Sequence, residues 1–278
     1  MRDQATELRK LVLRSMRREA ASAGDAPRLL LMAGGKGGVG TTTLAVNLSV
    51  AMALNGARVV LVDADLFRSD VATLCGLSDQ ANVGDVLTAR RDIHEVIQLG
   101  PAGVQVIPGL WARGDLTEVS ETRLERMIKQ LRSLRQHADV VIIDAGNGAG
   151  KIAQRFWHAA DEIVLTTTPD TMAVMDTYAA IKVLGTAVSS TIRILVNQAD
   201  DTTADNVFQR LSQSCQRFLS RKVHSLGFVA ADSTVKDAAR AACPLMFHAP
   251  DAQAAKCIQK IATTLCDEKD GLHIGKAA

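Results

Sequence analysis

One stretch restricts the fold more than any other: Gly35-Lys36-Gly37-Gly38-Val39-Gly40-Thr41-Thr42-Thr43. It follows the apolar run Leu29-Leu30-Leu31-Met32 and opens an apolar-periodic segment from Leu44 to Leu54. A strand, a glycine-rich turn and a helix N-terminus in that order make a phosphate cradle. The glycines let backbone N–H groups turn inward, and the helix end adds partial positive charge. The spacing fits G-x-x-x-x-G-K-[ST] with Gly35, Gly40 and Thr42 in register, except that Thr41 stands where the lysine for the β/γ-phosphates belongs. A second lysine, Lys36, lies early in the loop. A bare glycine turn is more often a tight surface turn. Here the flanking strand and helix patterns and the carboxylates further along select the phosphate reading.

From Arg28 onward the pattern alternates between strands and helices. Apolar runs at 29–33, 58–62, 104–107, 140–143, 163–167, 192–196 and 223–229 predict strands. Helical periodicity falls at 42–54, 121–137, 172–184, 203–219 and 233–241, and a last helix at 251–266 closes the fold. This order predicts an α/β fold: a doubly wound, mostly parallel β-sheet flanked by helices, in one domain over residues 28–266. The 278-residue length suits one large domain, and 47% hydrophobic with 3% aromatic residues suits a Val, Leu, Ile and Ala core.

A net charge of +2 creates no field that would gather nucleic acid across the surface. The five cysteines, Cys75, Cys215, Cys243, Cys257 and Cys266, form no C-x-x-C pair and read as reduced thiols in a cytoplasmic protein. No apolar run reaches the length of a membrane span, and the start of the chain lacks a signal-peptide core.

In open parallel sheets, ligands sit beyond the C-terminal ends of the strands. Two predicted strands end there in aspartate: Val59 to Val62 runs into Asp63-Ala64-Asp65, and Val140 to Ile143 into Asp144-Ala145-Gly146. A carboxylate so placed beside a phosphate loop holds Mg2+, a hard cation that takes oxygen ligands and keeps several waters. Thr42 supplies the hydroxyl ligand and Asp144 the carboxylate. Asp63 and Asp65 are the candidates for orienting an attacking water, Asp65 ahead of Asp63, against the plainer reading that both cap the following turn. The six histidines show no metal-ligand spacing.

Residues 1–20 read as an amphipathic helix, with Leu8, Leu11, Val12 and Met16 on one face and Arg9, Lys10, Arg14, Arg17 and Arg18 around it. Residues 21–27 have linker composition, and 267–278 form a polar tail. From pattern alone the helix folds back on the domain, serves as a partner-binding arm, or lies on a membrane surface.

The loop Lys36-Gly37-Gly38-Val39-Gly40 resembles the deviant phosphate loop of the MinD/ParA ATPases. In that family the early lysine reaches the nucleotide of the partner subunit in an ATP-sandwich dimer, which implies a catalytic role for Lys36. Asp63-Ala64-Asp65-Leu66 and Asp144-Ala145-Gly146-Asn147-Gly148 are similar to its two switches. Thr166-Thr167-Thr168-Pro169-Asp170-Thr171 with Asp176-Thr177-Tyr178-Ala179 resembles a stretch of one branch, the flagellar number and placement regulators FlhG, FleN or YlxH. Val196-Asn197-Gln198 matches the segment whose asparagine touches adenine.

The resemblance thus implies ATP and Mg2+ as cofactors. Gly35, Gly37, Gly38, Val39, Gly40, Thr41, Thr42, Thr43, Pro169 and Asn197 would lie at the nucleotide. Asp3-Gln4-Ala5-Thr6-Glu7-Leu8-Arg9 is similar to the activating arm of this branch. That implies contact with the SRP-type flagellar GTPase FlhF through Asp3, Gln4, Ala5, Leu8 and Arg9. An ATP-dependent homodimer, flagellar switch components and a transcription regulator are the other implied partners.

Three departures stand out. Thr41 removes a charge beside the phosphates. Val229-Ala230-Ala231-Asp232 lacks the family's proline near the base. The last helix is rich in small residues, which implies weak or conditional membrane contact at the inner face of the cell membrane. The expected function is a slowly hydrolysing ATP switch for flagellar number and placement. The alternatives are a nucleotide-independent scaffold, and a ParA-like partitioning or pilus-positioning ATPase, which the near-neutral charge disfavours.

Overall fold

The computed structural model describes residues 26–65, 69–78, 81–109, 119–147 and 151–274, with backbone only for 151, 152 and 268–274. The expected arm at 1–20, including Asp3, Gln4, Ala5, Leu8 and Arg9, lies outside the described residues, as do Leu66 and Gly148 of the switch-like segments.

Among the described residues, eight strands form one sheet in the order β3-β4-β2-β5-β1-β6-β7-β8. They are β1 (Arg28–Gly34), β2 (Val59–Asp63), β3 (Gln98–Leu99), β4 (Gln105–Ile107), β5 (Val140–Asp144), β6 (Glu162–Thr167), β7 (Thr191–Asn197) and β8 (His224–Val229). Every pairing is parallel except β3 with β4. The seven expected strands are all present, within a residue or two of their expected bounds. The two-residue β3 was not expected, because two residues carry no periodicity.

The strands are apolar throughout because both faces of the sheet are covered. Leu29, Leu31 and Ala33 of β1 enter one core, while Leu30 and Met32 enter the other. The helices are α1 (Thr41–Leu54), α2 (Val71–Leu74), α3 (Val83–Leu87), α4 (Ile93–Val96), α5 (Glu121–Ser133), α6 (Lys151–Ala159), α7 (Thr171–Val183), α8 (Asp201–Leu219), α9 (Thr234–Arg240), α10 (Leu245–His248) and α11 (Gln253–Ile274). Buried residues of α5 and α8 share the first core, and those of α1 and α11 the second. A helix apolar on all sides must be enclosed, and α1 is: Leu44, Ala45, Val46, Leu48, Val50, Ala51 and Met52 are all buried.

Three features depart from expectation. The short helices α2, α3, α4 and α10 were not anticipated, since four or five residues are too few to display a 3.6-residue period. The two-turn α6 was missed as well, although Phe156 and Trp157 are among the largest fully buried side chains. The last helix does not stop at 266 but continues to Ile274. Its polar residues 267–270 include good helix formers, and polarity alone ends no helix.

Candidate functional site

The phosphate loop leaves β1 between two neighbours, β5 on one side and β6 on the other. Gly38 (φ +85°) and Gly40 (φ +93°) hold the left-handed conformation that turns the loop into α1. Gly35 serves a different need. A Cβ there would come within 2.3 Å of the Thr177 amide nitrogen, so the loop rests directly on the backbone of α7. Thr41 is 6% exposed. Its hydroxyl packs against Gly34 at the base of the loop, 2.7 Å from where a Cβ would stand. Thr42 and Thr43 are half-buried in the first turn of α1, and Gly37 is exposed.

Lys36 Nζ lies 3.2 Å from Asp170 Oδ1, with the two side chains 40% and 56% exposed. The same carboxylate oxygen caps α7 by accepting from the Ala173 N–H at 3.0 Å. That backbone bond, and after it Lys36, hold the Asp170 carboxyl below its ordinary range. Pro169 is half-buried in the turn before this cap. The local sequence places Asp170 inside a motif but does not pair it with Lys36, because 134 residues separate them.

The three aspartates have different surroundings. Asp63 and Asp144 are register partners on adjacent strands, and both are fully buried. Asp63 Oδ2 accepts from Ser69 Oγ at 2.8 Å and from the Val71 N–H at 3.3 Å, while Oδ1 accepts from the Asp65 N–H at 3.2 Å. Burial, and then the neighbouring Asp144, push its carboxyl well above the ordinary range. These bonds make Asp63 the cap of the segment that follows it. Of its two expected readings, water-orienting residue or cap, the geometry matches the cap.

Asp65 stands over the turn after β5. A Cβ on Gly146 (φ +57°) would come within 1.9 Å of Asp65 Oδ2, so glycine alone lets the two switch-like segments meet.

Asp144 is positioned for a cation. Its Oδ1 accepts from the Gly146 N–H at 3.1 Å, while Oδ2 is buried with no hydrogen-bond partner among the described residues. Burial pushes its pKa up to about 6; the neighbouring Thr42 hydroxyl and then the Gly146 N–H offset part of this, and Asp65 and Asp70 add to it. An orphaned carboxylate oxygen beside a threonine hydroxyl under a phosphate loop fits Mg2+, which takes one or two protein oxygens and fills its shell with phosphate and water. Asp70, at the start of α2, is a neighbour that the sequence did not reveal.

Asn197, 8% exposed, ends β7 against the loop. Its Nδ2 donates to the Val39 carbonyl at 2.8 Å and would meet a Cβ on Gly40 at 2.5 Å. The side chain expected at the base therefore also buttresses the phosphate loop.

The profile of the ParA family, described as "NUBPL iron-transfer P-loop NTPase", matches residues 26–266. The chain belongs to the ParA family of P-loop NTPases. This ParA-family chain is 32% identical over 213 residues to the antiactivator FleN of Pseudomonas aeruginosa, covering 76% of each protein. It is 26% identical to the flagellum site-determining protein YlxH of Helicobacter pylori, covering 90% of this chain and 86% of that one. The Mg-ADP complex of the septum site-determining protein MinD from Pyrococcus horikoshii has the same fold, with a TM-score of 0.74 at 24% identity over 88% of this chain and 98% of that one. Among the described residues, no helix is long and apolar enough to cross a membrane.

Proposed function

We propose that this ParA-family protein is an ATP-controlled switch that regulates flagellar number and placement. It binds Mg-ATP, dimerises on it, hydrolyses it slowly and passes its state to flagellar partners. The observation that carries the nucleotide reading is the orphaned Asp144 Oδ2 beside Thr42 beneath the loop. The flagellar reading is supported by the likeness to FleN and YlxH and by the motif Asp3-Gln4-Ala5-Thr6-Glu7-Leu8-Arg9, through which an SRP-type flagellar GTPase would be stimulated. Flagellar switch components or a transcription regulator are further partners on this reading.

Mg2+ bound with ATP would neutralise charge developing on the transferred phosphoryl group. The chain's own residues do the rest. Thr42 and Asp144 would hold the metal, Asp65 would orient water, and the loop N–H groups would take the phosphate oxygens. The nucleotide sites of two copies would face each other in the dimer. Lys36 would then exchange Asp170 for a phosphate of the partner's ATP and supply charge that Thr41 lacks.

An iron-transfer reading has little support in this chain. Clusters are held by cysteine thiolates, and the five cysteines form no C-x-x-C pair. Burial also pushes Cys75 to about 12 and Cys215 to about 11, so both stay protonated.

The deciding experiment is calorimetric titration of Mg-ATP and Mg-ADP into the wild type and Thr41→Lys, with oligomer size measured alongside. The expected result is ATP binding and dimerisation by the wild type, tightened at least tenfold in Thr41→Lys by a charge-assisted contact. Lys36→Ala is expected to keep monomer binding and lose the ATP-dependent dimer. A second reading, a nucleotide-independent scaffold, is favoured by the packing of Thr41 against Gly34. It predicts binding by Thr41→Lys alone.

Asp65→Ala is expected to slow turnover at least tenfold while changing ATP affinity less than threefold, in line with the contribution of a positioned base. Equal losses in single-turnover rate and affinity would remove Asp65 from the water-orienting role.

A further inference from the structure

At the end of the sheet where β1 and β5 begin, opposite the phosphate loop, lies a cleft of about 520 Å3. Four of its seven lining residues are basic, His94, Arg132, Arg135 and His137, and none is acidic. Ser133, Gln136 and Ala26 complete the wall. The rings of His94, in the first turn of α4, and His137, just before β5, have centroids 5.0 Å apart and planes tilted by 48°.

These groups play different parts. Arg132 is already neutralised, since its two terminal nitrogens donate to both oxygens of Asp161 at 2.6 and 2.8 Å. Ser133 Oγ is spent on the Gln130 carbonyl at 2.7 Å. Arg135 is exposed and has no ion-pair or hydrogen-bond partner among the described residues. Neither imidazole has a side-chain hydrogen bond among them, and each keeps at least one N–H donor in any protonation state. One guanidinium fork and two imidazoles therefore line the same concave site, and among the described residues of its lining there is no carboxylate.

We propose that this cleft is a second ligand site that takes a small phosphorylated molecule. A phosphoryl group offers oxygens in three directions, enough to accept from the Arg135 fork and from both rings together. A planar carboxylate can pair with the fork but leaves the second ring unserved. The cleft volume falls in the range of small-molecule sites and exceeds what one phosphate fills, so an ester with an organic portion fits better than the free ion. No residue of the phosphate loop lines the site, and neither Thr42 nor Asp144 does.

The test follows the side-chain nuclear magnetic resonance signals of His94 and His137 in the full chain, assigned with His94→Gln and His137→Gln. Inorganic phosphate and then glycerol 3-phosphate are titrated in. Both rings are expected to shift along one saturable curve, with the ester binding more tightly than the ion. Arg135→Glu, on an exposed side chain that the fold does not need, is expected to weaken saturation at least tenfold. Thr42→Ala, which alters only the phosphate loop, leaves the response unchanged. Rings that do not shift, that respond equally in Arg135→Glu, or that lose their response in Thr42→Ala would overturn the proposal.

Discussion

Asp144→Asn is expected to abolish the thermal stabilisation that Mg-ATP should confer, and to flatten the dependence of stability on pH between about 4 and 6. Both effects come from a fully buried carboxylate with an orphaned oxygen. A ligand at one hundred times its dissociation constant adds about 2.7 kcal/mol. For a domain of this size that is a rise of about 5–10 °C in Tm. Without the Asp144 carboxylate the metal would keep only the Thr42 hydroxyl as a protein ligand, and the rise should disappear. An Asn variant that kept it would remove Asp144 from metal binding.

The pH effect has a definite sign. The Asp144 carboxyl moves from 3.8 to about 6 in the folded protein, so the native state holds an extra proton across that interval. The contribution of Asp144 to stability is then greatest below about 4 and falls as pH rises through 6, by about 3 kcal/mol once both states are ionised. Asp63 acts in the same direction. The depressed carboxyls Asp170, Asp200 and Asp232 lose their contribution only below the ordinary carboxylate range, so they leave this window untouched. The free wild type should therefore melt at a higher temperature at pH 5 than at pH 7, and bound Mg2+ should reverse that order by favouring the ionised carboxylate. In Asp144→Asn the slope shrinks to the share of Asp63. A buried amide N–H left unsatisfied costs about 1–3 kcal/mol, which offsets the removed charge, so the variant stays folded and both readings can be made.

The second large effect belongs to Gly35→Ala. The added Cβ would stand 2.3 Å from Thr177 N, 2.6 Å from Asp176 C and 2.7 Å from Thr177 Cα. All three are backbone atoms of α7, which cannot rotate aside, so the loop or the helix must move as a unit. Overpacking of this kind costs typically 1–3 kcal/mol, and this site should reach about 3. A displaced loop also turns its N–H groups away from the phosphates, so ATP affinity should fall at least tenfold. Gly37→Ala is the matched control, since its Cβ would meet nothing within 4 Å. Urea unfolding separates them: a clear drop in midpoint for Gly35→Ala, and little change for Gly37→Ala. Equal midpoints would mean that α7 does not support the loop.

Much of the site can be read from local pattern. A glycine loop between an apolar strand and an apolar helix, and four apolar residues ending in Asp, are statements about neighbours in sequence. Backbone geometry then converts them directly into a parallel sheet with ligands at one end. Seven strands and the positions of Thr42, Asp65 and Asp144 were legible for that reason.

The pairings were not legible, because they join residues that only the sheet order brings together. Lys36 meets Asp170 because β1 and β6 are adjacent. Asp63 becomes a buried cap and Asp144 keeps its orphaned oxygen because β2 lies beside β5, and burial then separates two similar aspartates by the partners each finds. His94 and His137, which showed no metal-ligand spacing along the chain, share a basic cleft. The local pattern of the sequence determined the fold class and the position of the phosphate loop. Only the tertiary structure decided which charge faces which, because side-chain contacts depend on strand order, and strand order is set by the packing of the whole sheet.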